Sequence, residues 1–531
     1  MKVLTAAEMR EVDRLSTERY SIPGLQLMEN AGASVVDYLE HNFANVDGRS
    51  IVIVCGKGNN GGDGFAIARL LRARGASPVA ILCAGPEEVR GDAGINLDRY
   101  RRAGGAIAFA RTPSDWQDAK KFLARAEIII DALLGTGLRG HVEQWLGDVI
   151  GDINARRDVA RIVAVDIPSG LLADVGEVSG PAVDAHVTVT FTAPKIGQLL
   201  YPASEKAGRL VVVPIGSPRA LVEECSDSKV RWLEPAEMLG VNLERRSDAN
   251  KGNFGHALVV AGSVGKTGAA IMGGWAALRA GAGLVTVATP EPCLPTVAGQ
   301  TPEIMTEPLA TTDAGTVSTR ALENDRFSAL VRGKAVLAIG PGLTTNAETQ
   351  EFVRAVIRET ATATVLDADG LNAFAEHRAE LAAHKCDSLV ITPHPGEMAR
   401  LIGSSAVEVQ RRRIPVAQDA AAEFRATVVL KGHETVIAAP DGSVWINSTG
   451  NPGMAKGGTG DALTGFLVGI LAQHGKHDWT SAVCLAVYLH GLAGDLAARE
   501  TGEIPLMATD LIRAIPRAYS HLITELAHAR A

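Results

Sequence analysis

A chain of 531 residues is too long for one ordinary hydrophobic core, so two or three domains are expected. A formal charge of -8 and only 4% aromatic residues argue against a nucleic-acid surface, which needs basic stripes and stacking rings. The six cysteines, Cys55, Cys83, Cys225, Cys293, Cys386 and Cys484, show no CxxC pair or metal spacing and read as reduced, mostly buried residues of a cytoplasmic protein.

The N-terminal MKVLTAAEMREVDRL lacks an apolar signal core, and Thr5 with Glu8 forms a capping box for an amphipathic helix. No run is both long enough and free enough of charge to span a membrane, so no membrane partner is expected. Six apolar runs follow: IVIVCG (51 to 56), PVAILCAG (78 to 85), EIIIDALLGTG (127 to 137), RIVAVDIPSG (161 to 170), VTVTFTAP (187 to 194) and LVVVPIG (210 to 216). Continuous apolar strands alternating with helical patterns predict a parallel sheet covered on both faces.

Ligand-competent residues cluster where these strands end. GKGNNGGDG places Asn59, Asn60, Gly61, Gly62 and Asp63 at the start of a helix, in a turn able to cradle a phosphate. It is not the dinucleotide fingerprint GxGxxG, so a hydride-transfer enzyme is not supported. Asp131 in DALLGTGLRGH and Asp166 in VDIPSGL stand at two further strand ends. With the asparagine pair and Ser169 they suggest a cation site and an acid/base residue. Either aspartate alone would serve equally as the cap of its turn.

Residues 218–250 are polar and carry no strand signal, which predicts a linker or docking segment between a domain over 1–217 and another over 251–531. The alternation then resumes with HALVVAG, LVTVATP, AVLAIGPG, ATVLDADG, SLVITPHPGE and ATVVLKGHETVIAAP. A second α/β domain follows, with its own site at the carboxyl ends of its strands. GSVGKTGA contains GKT, but position 260 is Val260 where a Walker A loop requires glycine. His394, between two prolines, is either a turn histidine bonded to backbone or a ligand contact, its strand-end position favouring the latter. His490 lies on an apolar helical stretch and is expected in the core.

The most telling segment is NPGMAKGGTGDALTG, from Asn451 to Gly465. Gly457, Gly458 and Gly460 let backbone amides approach a phosphate at a helix start, and Asp461 brings a carboxylate to the same place. A carboxylate beside a phosphate makes sense if it deprotonates or orients an attacking hydroxyl. As a plain helix cap it would need no such glycine density.

These motifs, in this order, resemble the bifunctional NAD(P)H-hydrate repair enzymes over nearly the whole chain. GNNGGDG, DALLGTGL and VDIPSGL resemble the NAD(P)H-hydrate epimerase domain; GPGL, TPHPGE and NPGMAKGGTGD resemble the ADP-dependent NAD(P)H-hydrate dehydratase domain. The resemblance implies a Rossmann-like first domain that interconverts the R and S hydrates of NADH and NADPH. There Asn59, Asn60, Gly61, Gly62 and Asp63, together with Gly135, Thr136, Gly137, Leu138, Arg139, Gly140 and His141, would bind the hydrate. Asp166 would be the acid/base residue, and K+ would sit on Asn60, Asp131 and Ser169.

The second domain is implied to be a ribokinase-like α/β fold that dehydrates the S hydrate with Mg2+ and ADP, releasing AMP and phosphate. Asp461 would act on the substrate hydroxyl, with Ala269, Gly342 and His394 contacting the hydrate. Lys431, Gly432, His433, Glu434, Thr435 and Gly460 would hold the nucleotide. Lys266 stands where an aromatic residue is expected in many relatives. The partners expected are small molecules and further copies of the chain in a homo-oligomer. A small-molecule kinase of ribokinase type with an N-terminal ligand sensor is the alternative, and a noncatalytic first domain is a third reading.

Overall fold

The computed structural model describes residues 1–43 and 46–530. They form two compact units that divide at Lys229, Met1 grouping with the second.

The first unit carries seven parallel strands: β1 (Ile51–Cys55), β2 (Val79–Leu82), β3 (Ala106–Phe109), β4 (Ile128–Ala132), β5 (Arg161–Val165), β6 (Val187–Phe191) and β7 (Arg209–Val213). Their order is β3-β2-β1-β4-β5-β6-β7. Alternate residues of β1 enter two different cores, Ile51, Ile53 and Cys55 on one face, Val52 and Val54 on the other. Burial on both faces is why the strand reads as an unbroken apolar run. The order reverses between β1 and β4, so the crevice beyond their carboxyl ends is the natural ligand position. Thr5 and Glu8 close the capping box of the helix Ala6–Tyr20 as expected.

The second unit holds ten strands: β8 (Val230–Leu233), β9 (His256–Val260), β10 (Leu284–Pro290), β11 (Met305–Leu309), β12 (Val336–Ile339), β13 (Thr364–Leu366), β14 (Leu389–Ile391), β15 (Thr427–Leu430), β16 (Val436–Ala438) and β17 (Val444–Asn447). Their order is β11-β10-β9-β12-β13-β14-β15-β16-β17-β8. The sheet is parallel except that β16 runs antiparallel to both β15 and β17. Its order reverses between β9 and β12, which locates a second crevice. This is the ribokinase-like α/β arrangement.

Two expectations are corrected. The segment 218–250 is not free of regular structure: it supplies the helix Arg219–Glu224 and strand β8, which pairs with β17. Its VRWL pattern, interrupted by an arginine, hid the strand. Second, the helix Trp479–Thr501 is long and apolar enough to cross a membrane, although no such run was read from the sequence. In its most apolar window 72% is buried inside the fold, and its Val483, Leu485, Leu489 and Ala493 belong to the main core of the second unit.

That core depends on close helix packing. A Cβ on Gly465 would lie 2.4 Å from the carbonyl oxygen of Gly273, and one on Gly469 would lie 2.4 Å from that of Ala277. The missing side chains let the helix Thr459–His474 lie directly on the helix Thr267–Arg279.

Candidate active sites

In the first unit, β1 runs into Gly56 and then the helix Asn59–Ala73. The turn is tight: a Cβ on Gly61 would lie 1.9 Å from the carbonyl oxygen of Gly56. Asn60, Gly61, Gly62 and Asp63 are buried, while Asn59 is exposed. Asp131, near the end of β4, is wholly buried. Ser169 binds it twice, its amide donating to Asp131 Oδ2 (2.7 Å) and its hydroxyl to Oδ1 (2.5 Å). Burial raises the Asp131 carboxyl to about 6, and the bonds from Ser169 work against that rise.

Asn60 completes this group. Its Nδ2 donates to the carbonyl oxygen of Leu134 at 2.8 Å, and the amide of Leu134 donates to Ser169 Oγ at 2.8 Å. Asn60 Oδ1 is buried without a hydrogen-bond partner among the described residues. A buried acceptor beside a carboxylate and a hydroxyl is a donor set of hard oxygens, which suits a cation such as K+. Gly135 adjoins Asn60, whereas Arg139, Gly140 and His141 lie on an exposed stretch of the same loop.

Asp166 follows β5 in the left-handed region, with φ +63°. Gln198 Nε2 donates to its carbonyl oxygen and helps hold that conformation. Its Oδ1 accepts from Lys195 Nζ (2.6 Å) and Thr190 Oγ1 (3.0 Å). Lys195 is completely buried, and the sequence reading missed it because TAPKIGQ resembles an ordinary loop. Two more carboxyls influence this centre. Burial lifts Asp13 to about 6 and Asp63 well above the usual range, and in both the negative charge of Asp166 adds to the rise. Asp13 was also missed; in MREVDRL it looks like a solvated helix residue.

The second crevice gathers more of the expected residues. The turn after β9 leads through Lys266 to the helix carrying Ala269, and a Cβ on Gly342 would lie 3.0 Å from Ala269 Cβ and 3.1 Å from the carbonyl oxygen of Lys266. Lys266 Nζ lies 3.6 Å from Asp369 Oδ2, with half its side chain exposed. Ala269, Gly342 and Lys266 thus share one wall.

His394 is the N-cap of the helix Pro395–Ile402: its Nδ1 accepts from the amides of Gly396 (3.0 Å) and Glu397 (3.3 Å). The backbone-bonded reading of this histidine therefore describes its ring, while half of the side chain stays exposed. Acceptance at Nδ1 puts the proton of the neutral ring on Nε2.

Asp461 occupies the first turn of the helix that begins at Thr459; the N-cap is Gly458, at φ +93°. Burial raises the Asp461 carboxyl to about 6, assisted by the nearby negative charge of Asp367. A Cβ on Gly460 would lie 3.7 Å from Lys431 Nζ, so an ammonium stands over this helix start. Lys431 begins the turn after β15, with Gly432 and His433 exposed and Glu434 and Thr435 half-buried.

Two positioning roles emerge only from the fold. Buried Arg413 donates to the carbonyl oxygens of Leu430 (3.1 Å) and Glu434 (3.3 Å), bracketing that turn. His490 is a core residue, as expected, and its Nε2 lies 3.0 Å from the carbonyl oxygen of Thr459, at the start of the Asp461 helix.

Asp367, at the end of β13, was not singled out in the sequence. It accepts from Thr392 Oγ1 (2.6 Å), Lys431 Nζ (2.9 Å) and Thr464 Oγ1 (2.7 Å).

Two α/β units, each gathering carboxylates and glycine turns at its own switch point, define a two-site enzyme for small anionic substrates. The comparisons give it a family. A family model described as "YjeF-related protein N-terminus" matches residues 24–197, and one described as "NAD(P)H-hydrate dehydratase" matches residues 257–517. The bifunctional NAD(P)H-hydrate repair enzyme Nnr of Moorella thermoacetica is 44% identical over 528 residues, covering 99% of this chain and 98% of its own. Its namesake in Thermofilum pendens is 39% identical, covering 98% and 96%. The ADP/ATP-dependent NAD(P)H-hydrate dehydratase of Bacillus subtilis, crystallised with ATP/Mg2+, is 33% identical at a TM-score of 0.47, covering 55% of this chain and 99% of its own. The chain belongs to the bifunctional NAD(P)H-hydrate repair enzymes.

Proposed function

We propose that the first unit interconverts the two epimers of hydrated NADH and NADPH, and that the second uses ADP to dehydrate the S epimer. The observation that carries this reading is Asp461 beside Gly460 and Lys431, a base and a phosphate cradle at one helix start. Hydroxide is a poor leaving group. Asp461 takes the proton of the ring hydroxyl as its oxygen attacks the β-phosphorus of ADP, and AMP departs. Phosphate then leaves the ring carbon with the C–O electrons, the neighbouring carbon gives its proton to the departing phosphate, and the C–H electrons restore the ring double bond. The positive Lys431 and the amides at Gly460 face the charge that develops on the transferring group. The turn from Lys431 to Thr435 holds the nucleotide with its Mg2+, and Ala269, Gly342 and His394 contact the hydrate.

In the first unit, Asp166 exchanges protons with the hydrate and Lys195 holds its carboxylate in place. The hydrate lies along Asn59 to Asp63 and the loop from Gly135 to His141. Asn60, Asp131 and Ser169 would hold K+, which when bound supplies a fixed positive charge at the strand ends.

Recovery of the near-ultraviolet absorbance of reduced nicotinamide from a mixture of both epimers, upon addition of ADP and Mg2+, tests both halves together. No recovery with any nucleoside diphosphate or triphosphate would overturn the reading; phosphorylation of a sugar or pyrimidine alcohol instead would favour the kinase alternative.

A further inference from the structure

Asp367 is a buried carboxylate whose three side-chain partners come from three different parts of the second site. Thr464 lies three residues after Asp461 on the same helix, Thr392 follows β14, and Lys431 opens the nucleotide turn. Only 2% of the Asp367 side chain is exposed. Taking a carboxylate and an ammonium out of water costs several kcal/mol each, and apolar residues of similar volume commonly serve stability as well or better. A buried pair is therefore weak evidence for stability, and its position asks for another explanation.

Lys431 supplies it. The bond to Asp367 Oδ1, with Glu397 Oε2 at 3.6 Å as a second anionic neighbour, fixes an otherwise flexible ammonium where it overlooks Gly460. The bond from Thr464 to the other carboxylate oxygen ties the helix carrying Asp461 to the same anchor. Base and phosphate-facing cation thus share one buried post, which removes the freedom that a four-carbon side chain would otherwise have.

We propose that Asp367 is a positioning residue for ADP-dependent dehydration, holding Lys431 against the phosphate-receiving helix start and tying it through Thr464 to the helix that carries Asp461. The proposal rests on the dehydratase reading of the second unit. The charged groups acting on Asp461 are Asp367 and Asp369 after β13, Lys431 after β15 and Lys266 after β9; His490, behind the helix start, is neutral near pH 7. Of the charges, Asp367 has the largest influence, and it opposes ionisation of Asp461.

The test uses the full chain carrying D367N, T464V or T392V. Steady-state dehydration is measured across pH, and stabilisation by ADP-Mg2+ is read from the melting temperature. In D367N, KM for ADP should rise and kcat fall, each roughly tenfold or more, and the acidic limb of kcat should move to lower pH. Titration of the nucleotide phosphate is common to parent and variant, so the displacement belongs to the protein. T464V and T392V keep the charge and should leave the limb in place while losing less rate.

A lower melting temperature with unchanged KM and unchanged limb would make Asp367 merely structural and overturn the proposal. If D367N does not fold, a T392V/T464V double variant with parental ADP kinetics overturns it equally. Should the parent itself show no dehydration, the functional reading fails separately, and undiminished ADP stabilisation in D367N would still refute the positioning of Lys431.

Discussion

Lys195 Nζ donates to Asp166 Oδ1 at 2.6 Å, and the lysine side chain is completely buried while 17% of the aspartate remains exposed. The asymmetry gives each residue a different task. Lys195 has no access to solvent and serves its neighbour; Asp166 keeps an open side toward the crevice. Asp166→Ala should therefore abolish R-to-S conversion while leaving dehydration of the pure S hydrate intact. It should also destabilise the first unit by about 3 kcal/mol or more, because a buried ammonium loses its counter-charge. Chromatographic separation of the two epimers over time, together with a melting curve, checks both statements. Equal loss of S dehydration would contradict two independent sites.

The cation site gives a second expectation. If Asn60 Oδ1, Asp131 and Ser169 hold K+, potassium should raise the melting temperature above that in sodium or choline chloride at equal ionic strength, by mass action on the folded state. Asn60→Leu should remove that increment and the potassium dependence of epimerisation. Identical melting curves in all three salts would dismiss the site.

Most of the parallel framework was legible because strands buried on both faces read as continuous β-branched runs. The strands that were missed lie in less transparent positions. β3 is a four-residue edge strand, β11 is an edge strand containing Pro308, β8 breaks its apolar run with Arg231, and β17 is a four-residue strand ending in Asn447. Motif residues such as Asn60, Asp131, Ser169 and Asp461 were visible because glycines crowd around them. Asp367 was not, since its partners Thr392, Lys431 and Thr464 lie 25, 64 and 97 residues away and no local spacing announces them. Lys195 and Asp13 failed for a related reason: charged side chains read as solvated until the fold buries them.

His490 predicts a pH response. Burial depresses its imidazole to about 4 from an ordinary value of 6.5, so the folded chain resists a proton that the unfolded chain accepts. The unfolded state binds more protons between those values, so stability falls as pH drops from about 6.5 toward 4, by up to roughly 3 kcal/mol. His490→Asn keeps a donor near the Thr459 carbonyl but cannot titrate. Its melting temperature should decline less across that window, and a decline parallel to the parent's would assign the acid sensitivity elsewhere.

Asp461 carries the opposite sign, and with it the sharpest test. Its folded value, about 6, lies above its ordinary 3.8, so its contribution to stability is fully present below about pH 4 and is lost as pH rises through 6. Above that the site maintains a buried carboxylate at a cost of up to roughly 3 kcal/mol. Asp461→Asn removes the charge and keeps the size. The variant should therefore melt higher than the parent at pH 7 to 8, with the gap closing toward pH 4. Turnover should move the other way: loss of a general base typically costs about 10² to 10⁴ in rate. A merely structural role would behave differently: Gly458 is the N-cap and Asp461 makes no capping bond among the described residues, so asparagine at 461 would leave the helix start, and with it turnover, in place. Dehydration within a few-fold of the parent, at an unchanged melting temperature, would return Asp461 to a structural role and leave the phosphoryl-transfer step without its base.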